Sequence, residues 1–330
     1  MVALTLGRTA NLSLEFGNSD GSCSAYVLLN GILGLQFCDY QSGYQFGRLS
    51  VDLMERRNLY RFRPRVYLCF ACTVIHWTQD LRGGIPWIGR AADAALEAGD
   101  FTHFAYSCNS LVALYLRSGS PLADVQHKAE EGLAFARKAK FGIGVNFIAS
   151  QLLLIRSLRG LPIDFDLLDE PFDQREFEQQ IERNQQTALS ACWYWIRKMQ
   201  ERFFSADFPP AVTAAQNARK LLSTSAGFFE TAEYHFYSAL AHAAHFDVVA
   251  GPGQADCLEK LRAHHQQLTI WATNCEANFG DRAALVARKL LALKAAISGK
   301  PLLLPAKVSQ QEKVSRVSSR LKRDPHECWG

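Results

Sequence analysis

The sequence predicts an all-α fold, an α-solenoid of stacked helical hairpins, and three observations carry that prediction. Apolar residues recur at steps of three and four along almost all of the 330 residues. Alternating, strand-like stretches bounded by turn dipeptides are missing. Breaks fall at Asp39, Asp80, Gly119, Gly160, Ala206, Gly251 and Ser298, at intervals of 41, 39, 41, 46, 45 and 47 residues. A period of about 39–47 residues with two helices in each unit marks an α-solenoid. One hairpin cannot bury both its apolar faces, whereas stacked hairpins share a continuous core.

Residues 1–159 read as a first solenoid half. A helical segment precedes Gly17-Asn18-Ser19-Asp20-Gly21, which matches the nucleophile-elbow pattern only formally, because that elbow needs a strand before it. The turn Cys38-Asp39-Tyr40-Gln41-Ser42-Gly43 has a counterpart in Ala206-Asp207-Phe208-Pro209-Pro210-Ala211. Both read small, Asp, aromatic, two variable, small, and Ala214, Ala215 and Ala218 follow the second. This resembles the start of the second helix of a tetratricopeptide repeat. The Asp can cap that helix, the aromatic fills the gap between helices, and small residues permit a close crossing. Pro209 and Pro210 suit a first helical turn, where a missing N–H costs little. Cys69-Phe70-Ala71-Cys72 sits among Val66, Leu68 and Val74 and reads as mid-helix core thiols, since a zinc or redox site needs further partners. Strong helix formers fill 91–98.

The segment 160–173 reads as an acidic loop, with Pro162, Pro171, Asp164, Asp166, Asp169, Glu170 and Asp173. Residues 174–297 form the second solenoid half. One face of its first strong helix is Ala188, Ala191, Cys192, Trp195, Ile196, Met199 and Phe203, and a later helix shows Phe228, Phe229, Ala232, Phe236, Ala239, Leu240 and Ala243. The last helix, about 277–297, lacks a partner, so its apolar residues Leu285, Leu290 and Leu293 are expected to be exposed and to favour self-association. A basic tail, 298–330, is expected to be disordered.

Charge is partitioned along the chain. The formal net charge is +4, and all of it lies from Ser298 onward, leaving residues 1–297 with 29 basic and 29 acidic side chains. A neutral body has no charge excess for nucleic acid or anionic lipid. No apolar run reaches the length of a membrane span, and the start lacks a signal-peptide pattern. Nine cysteines, an odd number scattered through apolar segments, suit reduced thiols and a cytoplasmic location.

Chemistry is sparse. Neither a phosphate-cradling glycine loop nor a His-Arg-Asp or Asp-Phe-Gly kinase motif occurs. His235, His242 and His245 share one helical segment, and His264 and His265 lie on the next with Cys257 before them. No Glu stands between histidines in the zincin pattern, so these read as structural or exposed histidines before a metal set. Trp193-Tyr194-Trp195, with Phe203 and Phe204, reads as packing between hairpins, with a binding platform as the alternative. No catalytic, cofactor-binding or metal residue is assigned, and no cofactor is expected.

The stretch from Asn18 to about Ala296 resembles one region of large bacterial signalling proteins. These join a Ser/Thr protein kinase domain, an ATPase domain, a tetratricopeptide-like region, a GAF domain and a sensor histidine kinase. The resemblance rests on Gly17-Asn18-Ser19-Asp20-Gly21-Ser22-Cys23, Ala105-Tyr106-Ser107-Cys108-Asn109 and Gly132-Leu133-Ala134-Phe135-Ala136-Arg137-Lys138-Ala139. It also rests on Ala191-Cys192-Trp193-Tyr194-Trp195-Ile196-Arg197-Lys198 and Phe228-Phe229-Glu230-Thr231-Ala232-Glu233-Tyr234-His235-Phe236-Tyr237. All five strings fall in the helical region, so the resemblance implies a non-catalytic scaffold that contacts a protein partner or flanking signalling domains. A small-molecule sensor solenoid of an ATPase-type regulator is the other reading, and it calls for a groove near Trp193 and His235. Beyond about Ile297 the family continues into another helix, whereas this chain reads Ser298-Gly299-Lys300-Pro301-Leu302-Leu303-Leu304-Pro305. That departure is expected of a fragment with a frame-shifted or altered end.

Overall fold

The computed structural model describes residues 2–162, 174–183 and 187–298. Helices take up 87% of these residues, and no strand occurs among them. Except for 160–162 and Ser298, the acidic loop and the basic tail lie outside the described residues. The chain divides into two compact units: 1–114 with 225–232 and 269–281, and 115–224 with 233–268 and 282–330.

In the first unit, α1 (Val2–Phe16) and α2 (Asp20–Leu28) are joined through Gly17, which has φ +104°. Ser19 starts α2, its backbone N–H bonding Ser22 Oγ at 2.9 Å, so the formal elbow motif is a helix start between two helices. Helices α3 (Asn30–Phe37) and α4 (Tyr40–Arg57) follow, and α4 packs on both α2 and α3. The crossing with α3 is close because α4 presents Gly43, where a Cβ would lie 2.1 Å from Asn30 Oδ1; Gly47 lets Val74 approach in the same way, where a Cβ would lie 2.7 Å from its Cγ1. On the α2 side Ser50 Oγ donates to the Cys23 carbonyl at 2.6 Å.

A turn leads to α5 (Arg63–Cys69), with Pro64 in its first turn, and α6 (Ile85–Glu97) packs against α5. Between them the backbone widens into a π turn over Phe70–Val74. Cys69 therefore ends α5 and Cys72 lies within the π turn, and both pack half-buried against the core, not in an uninterrupted helix as expected. Helix α7 (Phe101–Ser118) begins in this unit and passes into the residues assigned to the second. The core joins Cys23, Val27, Val51, Met54, Val66, Phe70 and Ile88. A second aromatic core holds Tyr40, Trp77, Phe229, Trp271 and Phe279.

The second unit contains α8 (Leu122–Lys138), α9 (Gly142–Leu158), α10 (Gln174–Arg183), α11 (Ala188–Phe204) and α12 (Phe208–Leu221). Helix α9 packs on α8 and α11, and α11 packs on α10 and α12. Most of α13 (Phe229–His245), α14 (Pro252–Asn274) and α15 (Glu276–Ser298) also belongs here. Each of the six intervals read from the sequence contains two of the helices from α4 onward.

The two matched turns have one backbone geometry. Cys38 and Ala206 are left-handed, with φ 55° and 58°, and Asp39 and Asp207 follow at φ −94°, ψ 71° and φ −96°, ψ 74°. Asp39 caps α4 by accepting from the Ser42 N–H at 3.0 Å, whereas Asp207 takes Arg202 Nη1 at 3.2 Å and leaves its helix uncapped. Pro209 and Pro210 lie in the first turn of α12, where they were expected. Small residues Ala211, Ala214, Ala215 and Ala218 are all buried on that helix.

The last helix differs from expectation. Leu290 is buried and Leu285 and Leu293 are half-buried, while Leu291 and Ile297 are the large apolar side chains left exposed. The expected sticky face therefore narrows to Ile297, four residues beyond Leu293, while Leu291 is exposed on another side of α15.

Candidate functional site

Helix α11 is the structural centre of the second unit, and polar side chains gather on it. Its middle is enclosed on all sides: Trp193, Tyr194, Trp195 and also Arg197 and Gln200 are buried. Trp193 packs on Phe147 with ring centres 4.5 Å apart, and Tyr194 meets Phe177 edge-on at 5.1 Å. The aromatic run is thus core, with no exposed platform. Phe203 and Phe204 both meet Tyr237 edge-on, at 6.0 and 5.6 Å.

Two polar networks leave this helix. In the first, Glu178 of α10 accepts from Tyr194 Oη and Lys198 Nζ, and Gln174 Nε2 donates to Tyr194 Oη at 2.9 Å. Burial works against the Glu178 carboxylate, yet the bonds from Lys198 and Tyr194 hold its pKa below the usual range. Tyr194 is pushed up by burial and by that carboxylate, so its hydroxyl stays neutral. A small pocket opens beside this network, lined by Ser150, Leu153, Leu154, Arg197 and Glu201 among others. It has room for about one water molecule. Burial raises the Glu201 carboxyl, against the opposing pull of Arg202 and Lys198.

The second network is centred on Glu233 of α13, whose side chain is only 4% exposed. Arg282 Nη2 lies 2.7 Å from Glu233 Oε1, Arg197 Nη1 lies 3.9 Å from Oε2, and Gln200 bridges the two by donating to Glu233 and accepting from Arg197. Burial opposes the charge of Glu233, but Arg282, Arg117 and Arg197 outweigh it and lower its pKa. Arg282 also lies over the Phe236 ring at 4.8 Å. These residues were not singled out from sequence. A signal existed: Glu233 stands four residues after Phe229 and three before Phe236, in register with the apolar stripe.

His235, His242 and His264 lie together, with the His242 and His264 rings stacked at 6.5 Å. His235 and His264 face each other with Nδ1 atoms 3.1 Å apart, and His242 lies 3.9 Å from Cys257 Sγ. One imidazole of the His235–His264 pair must donate and the other accept, which requires the accepting Nδ1 to carry no proton. Burial lowers His235 and His242 to about 4, and lowers His264 further with help from the neighbouring histidines. His245 and His265 are not in those contacts. Among the described residues no three His, Cys, Asp or Glu side chains gather as a metal-holding group. The groove called for near Trp193 and His235 is not this pocket, which lies beside Tyr194 and is lined by neither of them.

Chemically, these arrangements hold ions in fixed pairs. Lys198 is tied to Glu178, and Glu233 to Arg282 and Arg197. No helix among the described residues is long and apolar enough to cross a membrane.

No protein-family model matches the chain. A hybrid signal transduction histidine kinase, from Dictyostelium discoideum, is 26% identical over 175 residues. The match covers 52% of this chain but only 5% of that protein. The chain therefore spans a small part of its curated relative, and half of it is similar to a region of a signal-transduction histidine kinase.

Proposed function

We propose that this chain is a helical-repeat region, tetratricopeptide-like in its turns and non-catalytic, that couples domains or binds a protein partner in a signalling kinase. The observation that carries this is the similarity, over half the chain, to a signal transduction histidine kinase. The pairing of two helices within each 39–47-residue interval supports a solenoid of hairpins, in which small changes of pitch relay occupancy between neighbours. The buried ion pairs that Glu233 of α13 makes with Arg197 of α11 and with Arg282 support a rigid coupling element. A cytoplasmic setting fits the eight free cysteines among the described residues.

The test is phosphoryl transfer. Purified chain incubated with radiolabelled ATP and magnesium is expected to release ADP only at background and to take up no label. Turnover that is lost on mutating a described side chain would overturn the non-catalytic reading. The coding sequence on either side gives an independent test, since kinase or ATPase modules in the same frame are expected.

A further inference from the structure

Net charge conceals a local excess. The first 114 residues contain nine arginines, no lysine and nine acidic residues. Five of those arginines, Arg56, Arg57, Arg61, Arg63 and Arg65, fall within ten residues at the end of α4, the following turn and the start of α5. Arg56, Arg57, Arg61 and Arg65 are exposed, and Tyr60 between them is 45% exposed.

The nearby carboxylates are already engaged. Glu55 takes Arg90 at 2.6 Å and the Tyr67 hydroxyl at 2.9 Å. Asp52 takes Arg48 at 3.0 Å, Glu97 takes Arg63, and Asp20 accepts the Arg61 backbone N–H at 3.0 Å. The Arg65 guanidinium draws the Cys69 thiol down against the larger effect of burial. Arg56, Arg57 and Arg61 form no ion pair among the described residues, and Arg61 lies over the Phe62 ring at 5.3 Å. Arg63 lies over Tyr60 at 5.1 Å, which holds that ring in the middle of the patch. Cations in the last turn of α4 do favour the helix dipole, but that effect fades within a turn and does not extend to Arg61.

We propose that this arginine turn is a docking surface for a carboxylate-rich segment of a protein partner. Arginine in place of lysine fits that ligand, because the guanidinium fork matches a carboxylate bidentately. Tyr60 adds an aromatic face that loses little rotamer entropy on binding. Three uncompensated cations are too few for duplex nucleic acid, where affinity at physiological salt rests on many phosphate contacts. They also fall short of the four to eight basic residues typical of an anionic-membrane site.

The probe is a fluorescently labelled Glu-rich octapeptide titrated against the full 330-residue chain. Binding is expected that weakens with salt, as for exposed charges within a Debye length. The R56E/R57E/R61E variant is expected to lose affinity by about tenfold or more, with an unchanged melting temperature. R56Q/R57Q alters two exposed side chains and gives a second readout should the triple variant misfold; a loss of about threefold is expected. Affinity unchanged in both variants overturns the proposal and assigns any binding to the basic tail. Tighter binding of phosphatidylserine vesicles than of the peptide, through the same arginines, also overturns it, in favour of a membrane.

Discussion

Glu233 shows how much one residue can hold in this protein. Its carboxylate is enclosed, and Arg282, Arg117 and Arg197 all draw its pKa down against burial. Replacement by Gln keeps shape and removes the charge that pairs with Arg282 and Arg197. Breaking a buried pair from one side costs about 3–5 kcal/mol. E233Q is therefore expected to lower the urea midpoint sharply, with little change in the slope of unfolding. A variant that unfolds at the wild-type midpoint would show that the arginines find water or another partner. The same arithmetic gives a direction with pH. A carboxylate whose folded pKa is depressed stabilises fully above its unfolded pKa and loses that contribution as the pH falls through the folded value.

Elements were the scale at which the sequence was most legible, because helical period and turn chemistry are local. The Cys38-Asp39-Tyr40 and Ala206-Asp207-Phe208 turns were matched by residue type alone and share backbone angles to within a few degrees. What the pattern could not tell was that only Asp39 caps. Arg202, five residues before Asp207, draws the second carboxylate away. The π turn at Phe70–Val74 was equally hidden, since its apolar residues fit an uninterrupted helix. Packed elements also carry a pH response. Unfolded imidazoles take up protons near 6.5, whereas His235 on α13 and His242 resist until about 4. Between those values the unfolded chain binds more protons, so stability is full above about pH 6.5 and falls as the pH drops toward 4. Melting temperature recorded between about pH 7.5 and 5 should fall, ahead of the carboxylate effects at lower pH. In H235N/H264N that slope should flatten, whatever the new absolute stability. An unchanged slope would place the proton uptake elsewhere.

At the scale of the whole molecule, chain order and packing order diverge. The sequence suggests a first half ending at 159, yet Trp77 draws its partners from far along the chain. It is 1% exposed, stacks on Phe279 at 5.8 Å, packs on Trp271 at 5.2 Å, and donates its indole N–H to the Gly227 carbonyl at 3.2 Å. Trp271 donates to the Tyr40 hydroxyl at 2.9 Å, and Asn278 Nδ2 donates to the His76 and Gln79 carbonyls at 2.7 and 2.8 Å. Phe229 meets His76 edge-on at 5.3 Å. No periodic signal announces such pairing, because each partner helix keeps its own ordinary stripe. The consequence is testable. A chain ending at residue 159 keeps Tyr40, His76 and Trp77 and loses Phe229, Trp271 and Phe279. Removing one large aromatic from a core costs about 3–5 kcal/mol. Three together, about 9–15 kcal/mol, are comparable to the roughly 5–15 kcal/mol that holds an ordinary domain folded. The 1–159 chain is therefore expected to lack a cooperative melt and a fixed near-ultraviolet tryptophan signal, while keeping much of its helical far-ultraviolet signal. A sharp melt with a native-like aromatic signal would mean that residues 1–159 close their core unaided, and that the returning segments 225–232 and 269–281 only cover a unit already formed.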